Sequence, residues 1–79
     1  MSKKIVIVGG LGYLGTELCK LYSGESWFNE VIVIDSRFVS ERASQLKSWN
    51  IKFHQGHLLD KEFLRKKLSD ADIVYHLAG

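Results

Sequence analysis

The sequence contains no proline and a single cysteine, Cys19, among 79 residues. One thiol excludes an internal disulfide framework and any zinc site built from several thiolates, and it fits a reducing compartment. No apolar run approaches the ~20 residues that a membrane helix needs. Lys3 and Lys4 precede Ile5-Val6-Ile7-Val8 in the manner of an export signal, but that apolar core is four residues long and runs into glycines. Charge of one sign is lacking as well. Eleven Lys and Arg against nine Asp and Glu leave a formal net charge of +2, too slight to mark a nucleic acid or an acidic membrane as partner. Collagen-like and low-complexity tracts are absent. The expectation is one small, soluble, cytoplasmic domain.

What is present is ordinary globular composition, 46% hydrophobic and 25% charged, arranged as alternating strand and helix patterns. Ile5–Val8 and Val31–Ile34 are continuous β-branched runs, the pattern of strands buried on both faces of a parallel sheet. Between them Leu14, Leu18, Leu21 and Tyr22 recur at helical spacing, and Gly24 is placed to end that helix in the left-handed conformation. Val39, Ala43 and Leu46 predict a second helix with Ser40 as its cap. Ile51–His54 is a weaker strand. Asp60 then predicts the cap of a helix over Lys61–Leu68, with Leu59 and Leu64 at hydrophobic-staple positions. Asp72–Leu77 reads as a fourth strand. Strands that alternate with helices imply a parallel sheet, since each crossover needs a helix. Right-handed crossovers predict an α/β fold: a Rossmann-type open sheet of four strands in order 3-2-1-4 with three crossover helices.

Of seven glycines, four fall between positions 9 and 15, in Gly9-Gly10-Leu11-Gly12-Tyr13-Leu14-Gly15. This segment lies where a strand ends and a helix begins. There a glycine permits a tight turn, another lets backbone approach a pyrophosphate, and Gly15 lets helix and strand pack closely. The N–H groups and dipole of the helix N-terminus then hold phosphate oxygens. The competing reading is a glycine turn that serves packing alone. Asp35 shifts the balance, because it follows the second strand about twenty residues on, where a carboxylate accepts hydrogen bonds from adenosine ribose. Like-charge repulsion against a 2′-phosphate makes NAD the expected cofactor rather than NADP. Arg37 pulls the other way, being able to pair with a 2′-phosphate or stack on adenine. A phosphate-binding loop of the nucleotide triphosphatase kind is excluded, since no Gly-Lys-Ser/Thr follows the glycines.

Gly10, Gly12 and Gly15 fit one dinucleotide spacing, and Gly9, Gly12 and Gly15 fit another, G-x-x-G-x-x-G. The second frame resembles the extended short-chain dehydrogenase/reductase family of NAD-dependent epimerases and dehydratases. Gly56-His57-Leu58-Leu59-Asp60 is similar to that family's Gly-Asp-Leu-x-Asp segment. Asp72–Gly79 is similar to its fourth strand, which typically ends His-Leu-Ala-Ala. Together the segments cover nearly the whole chain in family order. The resemblance implies that the Tyr13 and Leu14 amides meet the pyrophosphate, and that Asp35 with Ser36 holds the adenosine ribose. It implies that residue 57, with Leu58 beside it, meets adenine, and that Leu77, Ala78 and Gly79 line the floor beneath the cofactor. His57 departs from the family, which usually has an aspartate there. A neutral imidazole still accepts one hydrogen bond, and its charge changes near neutral pH.

In that family a Tyr-x-x-x-Lys pair performs the proton transfer that accompanies hydride transfer. Four positions after Tyr13, Tyr22 and Tyr75 stand Glu17, Ser26 and Gly79, so the pair is absent from these residues. No serine, nor Cys19, has a base and orienting acid in evidence. His54, His57 and His76 lack partners at metal-ligand spacing, and Cys19 reads as a packing residue. Lys61, Arg65, Lys66 and Lys67 form a basic helix face with no aromatic platform beside it, a solvated surface rather than a nucleic-acid site. The expected role is the NAD-binding portion of a nucleotide-sugar epimerase or dehydratase. The alternatives are a non-catalytic dinucleotide sensor or scaffold, and an inactive truncated product. In order 3-2-1-4 only the third helix covers the second face. The sequence therefore predicts Ile5–Val8 and Ile73–Leu77 open on one side, with the fourth strand an uncovered edge. The remainder of a larger domain, or a second copy of the chain, is the partner expected there.

Overall fold

A computed structural model describes residues 3–9, 11–24, 29–56 and 61–77. Four strands, β1 (Lys4–Val8), β2 (Glu30–Asp35), β3 (Lys52–Gln55) and β4 (Ile73–His76), alternate with helices α1 (Tyr13–Tyr22), α2 (Ser40–Ser48) and α3 (Lys61–Leu68). The sheet is parallel throughout, in the order β3-β2-β1-β4. Val8 is in register with Ile34 on one side and His76 on the other, while Asp35 is in register with Gln55. The expected order and class are therefore those of the molecule.

Alternation along the strands builds two cores. Ile5, Ile7, Val31 and Val33 pack on one face with Leu11, Cys19, Leu46 and Ile51 beneath α1 and α2. Val6, Val8, Ile32 and Ile34 pack on the other against Phe63, Leu64 and Leu68 of α3 and against Ala71. This corrects the expectation that one side of Ile5–Val8 lies open. Val6 and Val8 are fully buried, because the crossover from β3 to β4 must pass over β2 and β1, which lie between them. Openness is confined to β4, where Val74 and His76 are exposed and Ile73 and Tyr75 are half-buried. Among the described residues no strand pairs with the outer edge of β4.

The helices differ from their sequence patterns in three respects. Leu14 and Leu21 are exposed at 68% and 76%, and the buried residues of α1 are Gly15 and Cys19. The helix lies on the sheet through Gly15 and Cys19, with Leu18 and Tyr22 of the predicted face also packed on the core. Gly24 does not end α1 in a left-handed conformation. Ser23 is the cap, its amide and hydroxyl both donating to the Lys20 carbonyl. Val39, not Ser40, is the N-cap of α2, with no side-chain capping bond. That helix stops at a left-handed residue, Asn50 (φ 59°). The Ile51 amide reaches back to the Leu46 carbonyl at 2.9 Å and the Asn50 amide to Lys47 at 3.0 Å, a Schellman closure sealed by the buried pair Leu46 and Ile51. The expected cap Asp60 and staple Leu59 lie outside the described residues.

Polar bonds fasten the N-terminal ends of the strands. The Lys4 amide donates to Asp72 Oδ2 at 2.7 Å, and the Asp72 amide donates to the Lys4 carbonyl at 2.8 Å. An ion pair joins Lys4 to Asp70. The opposite, C-terminal ends of β1 and β2 carry the glycine turn and Asp35.

Candidate functional site

β1 ends at Val8, and Gly9 turns the chain with φ at 80°. That is the left-handed region, which a side chain enters only with strain. The Gly9 amide donates to the Ile34 carbonyl at 2.7 Å, so the turn is anchored to β2 as it leaves the sheet. Gly12 is the N-cap of α1, extended (φ −78°, ψ −179°) and without a side-chain capping bond. The first intrahelical bond is from the Thr16 amide to the Gly12 carbonyl, at 2.9 Å. The amides before it have no acceptor within the helix. No acidic side chain stands in that first turn, so the positive end of the helix dipole is not neutralised there. Tyr13 and Leu14 are exposed at 75% and 68%, so the first turn of α1 faces solvent, while Leu11 just before it is buried in the core. Gly15, one turn in, is buried.

Asp35 closes β2 and is only 2% exposed. Its Oδ2 accepts the Leu11 amide at 3.1 Å, and its Oδ1 accepts the Arg37 amide at 3.0 Å. The Arg37 guanidinium adds Nε to Oδ1 at 3.4 Å and Nη2 to Oδ2 at 3.3 Å. Burial pushes the Asp35 carboxyl up, but the Arg37 side chain, the Arg37 amide and the Leu11 amide outweigh it and hold the group below the ordinary carboxylate value. A buried carboxylate at a strand tip is thus kept ionised by the turn it faces. Two further bonds brace this corner against β3: the Gly56 amide to the Asp35 carbonyl at 3.0 Å, and Gln55 Nε2 to the Ser36 carbonyl at 3.3 Å. Ser36 and Arg37 are exposed. Phe38 tilts onto Phe53 with ring centroids 6.1 Å apart.

The fold therefore brings Gly9, Gly12, Tyr13, Leu14, Asp35, Ser36 and Arg37 to one corner at the C-terminal ends of β1 and β2. In open α/β sheets a ligand crevice lies on that side. Leu77 continues from β4, its amide bonded to the Val8 carbonyl at 2.8 Å and its side chain packed on the core beneath α1. His57, Leu58, Ala78 and Gly79 lie outside the described residues. Sequence reasoning missed Leu11, whose amide joins the turn to Asp35; a backbone donor leaves no trace in residue type. It also gave Gly56 no part in packing. A methyl group at Gly56 would stand 2.3 Å from the Phe63 ring, so this glycine makes room for α3 against the end of β3.

Main-chain amides and a carboxylate at one corner are a donor and acceptor set that could hold a diphosphate and a sugar hydroxyl. Added bulk at Gly12 would meet the Arg37 guanidinium at 3.7 Å and the Gly9 carbonyl at 4.0 Å, so the guanidinium stands over this end of the turn. A separate cavity of about 450 Å³ lies between α2 and β3, lined by residues that include Lys47, Ile51 and Phe53. It shares no residue with the glycine corner. Among the described residues no three His, Cys, Asp or Glu side chains converge as metal ligands, and no helix is long and apolar enough to cross a membrane.

The 3-beta hydroxysteroid dehydrogenase/isomerase family matches residues 6–79. A dTDP-D-glucose 4,6-dehydratase of Dictyostelium discoideum is 33% identical over 83 residues, taking in 98% of this chain and 19% of that protein. A UDP-glucose 4-epimerase of Streptococcus mutans is 35% identical over 80 residues, covering 95% of this chain and 22% of that enzyme. The chain thus spans about a fifth of the length of these relatives. Among solved structures an isoflavone reductase superposes with a TM-score of 0.80 at 22% identity, over the whole of this chain and 28% of its own. That likeness is one of fold.

Proposed function

The chain belongs to the 3-beta hydroxysteroid dehydrogenase/isomerase family, and from that membership we propose that it binds the adenosine-diphosphate half of NAD at the Gly9–Gly15 turn and Asp35. The observation that carries this reading is the bond from the Leu11 amide to the buried Asp35 carboxylate. It sets a fixed anion beside an uncapped helix N-terminus, one for ribose hydroxyls and the other for a diphosphate. The amides of Tyr13 and Leu14 hold the diphosphate, and Asp35 with Ser36 holds the ribose. NAD is preferred to NADP because a 2′-phosphate would be placed against a carboxylate kept ionised at neutral pH.

Within the protein to which this portion contributes, the reaction is hydride transfer on a nucleotide-linked sugar, of the epimerase or dehydratase kind. The relatives named above support this reading. Bound NAD supplies the hydride acceptor; these residues bind and orient it. They contribute no proton-transfer pair, since no tyrosine here is followed four residues later by lysine. Calorimetric titration of NAD and NADP into the wild-type chain, Asp35→Ala and Gly12→Val tests the binding claim. Asp35→Ala should erase most of the discrimination between cofactors, and Gly12→Val should abolish binding. Equal heats for all three proteins would refute the site.

A further inference from the structure

We propose that Arg37 is a built-in occupant of the ribose-binding carboxylate: a dinucleotide must displace its guanidinium from Asp35, and the displaced guanidinium then sets how well the site takes a 2′-phosphate. This rests on the assignment of Asp35 to ribose made above. Asp35 receives four N–H donors, at 3.0 and 3.4 Å on Oδ1 and at 3.1 and 3.3 Å on Oδ2. A carboxylate offers about four lone-pair sites, so no site is left for ribose hydroxyls until a donor leaves. The two backbone donors belong to the turn itself and stay. The two guanidinium donors are the long ones, near the outer limit of a hydrogen bond. Their side chain is 61% exposed, against 3% for that of Asp35. Arg37 is therefore the group that yields.

Its position makes the exchange consequential. Nη2 lies 3.7 Å from the point where a side chain at Gly12 would begin, so the guanidinium spans the gap between the carboxylate and the N-terminus of α1. When it swings out, both the ribose acceptor and the approach to the first-turn amides are uncovered. The freed guanidinium stays tethered two residues from Asp35, and its planar fork of donors matches a phosphate. An ionised Asp35 alone would repel a 2′-phosphate; Asp35 with a mobile Arg37 beside it repels much less. One residue thus slows entry of NAD and narrows its advantage over NADP.

The test is calorimetric titration of NAD and of NADP, at low salt, into the wild-type chain, Arg37→Ala and Arg37→Lys. A second readout needs no ligand: the Asp35 carboxyl titration followed by carbon-13 NMR in the same three proteins. Arg37→Ala should tighten NAD about two- to five-fold, the range expected for losing a partly exposed ion pair, and should weaken NADP by about ten-fold, the loss of one good phosphate contact. Arg37→Lys should fall between, since an ammonium lacks the fork. In Arg37→Ala the free Asp35 carboxyl should titrate at higher pH than in the wild type. If Arg37→Ala weakens NAD and NADP alike, Arg37 is a plain ligand contact and the proposal is wrong. An unchanged Asp35 titration would show that the guanidinium does not occupy the carboxylate, and would overturn it without any ligand. A wild-type chain that binds neither dinucleotide while the NMR shift is present would refute the assignment of the site and, with it, Arg37's role as gatekeeper.

Discussion

The Leu11 amide donates to Asp35 Oδ2 across 3.1 Å, joining the turn after β1 to the tip of β2. Neither residue is exposed: Leu11 is at 4% and Asp35 at 2%. The glycine turn is therefore held in shape by the carboxylate at the end of β2.

Replacing that carboxylate should cost stability as well as affinity. Asp35→Ala leaves the buried Leu11 amide without its acceptor, at about 1–3 kcal/mol, measurable as a lowered urea midpoint. The pH dependence has a definite sign. A carboxyl held below its ordinary value of 3.8 contributes stability above that pH and loses it as pH falls through the folded-state value. Wild-type stability should thus fall on acidification below about pH 4, and Asp35→Asn should flatten this part of the profile.

Gly9 and Gly12 should separate fold from function. Gly9 stands at φ 80°, so Gly9→Ala should destabilise by about 1–2 kcal/mol through backbone strain. Gly12 has ordinary extended geometry and caps α1 without a side chain. Gly12→Ser should hold or slightly raise the melting temperature, because serine is a good N-cap. The same hydroxyl would engage the first-turn amides, so NAD affinity should fall by ten-fold or more, as calorimetry would read.

Gly56 and Phe63 should behave as a pair. A methyl group at Gly56 would meet the Phe63 ring at 2.3 Å, and overpacking of this kind costs about 1–3 kcal/mol. Gly56→Ala should be destabilised by that amount, and adding Phe63→Leu should recover part of the loss. Additive losses in the double variant would place the strain elsewhere.

Cys19 should be silent in the native chain. It is fully buried, and burial pushes its thiol up to about 11. A thiol reagent at neutral pH should label it at the rate of unfolding and label it promptly in denaturant. Prompt labelling without denaturant would mean that α1 does not stay seated on the sheet.

The β-branched runs Ile5–Val8 and Val31–Ile34 made the sheet legible in the sequence, and the alternation with helices made its order legible, because strands buried on both faces of a parallel sheet read as continuous apolar runs and each crossover between them needs a helix. The seat of α1 was legible only in part. Leu18 and Tyr22 of its predicted face do pack on the core, but its buried residues are Gly15 and Cys19, which add little to a hydrophobic pattern, and Leu14 and Leu21 face solvent. Of the site, Asp35 and the glycines could be read because spacing and residue type mark them. The bonds of Leu11 and Arg37 to Asp35 could not be read: one is a main-chain donor, and the other depends on how the turn after β2 aims a long side chain. Asn50 likewise carries a helix stop that its neighbours Leu46 and Ile51 complete only once folded.

The most direct test of the account is a nitrogen-15 NMR titration of the chain with NAD. Binding at the glycine turn should move the amide resonances of Leu11, Gly12, Tyr13 and Leu14 together with those of Asp35 and Arg37, and should leave Lys47, Ile51 and Phe53 beside β3 in place. Resonances of the turn that stay fixed under millimolar NAD, or shifts confined to the β3 side, would contradict it.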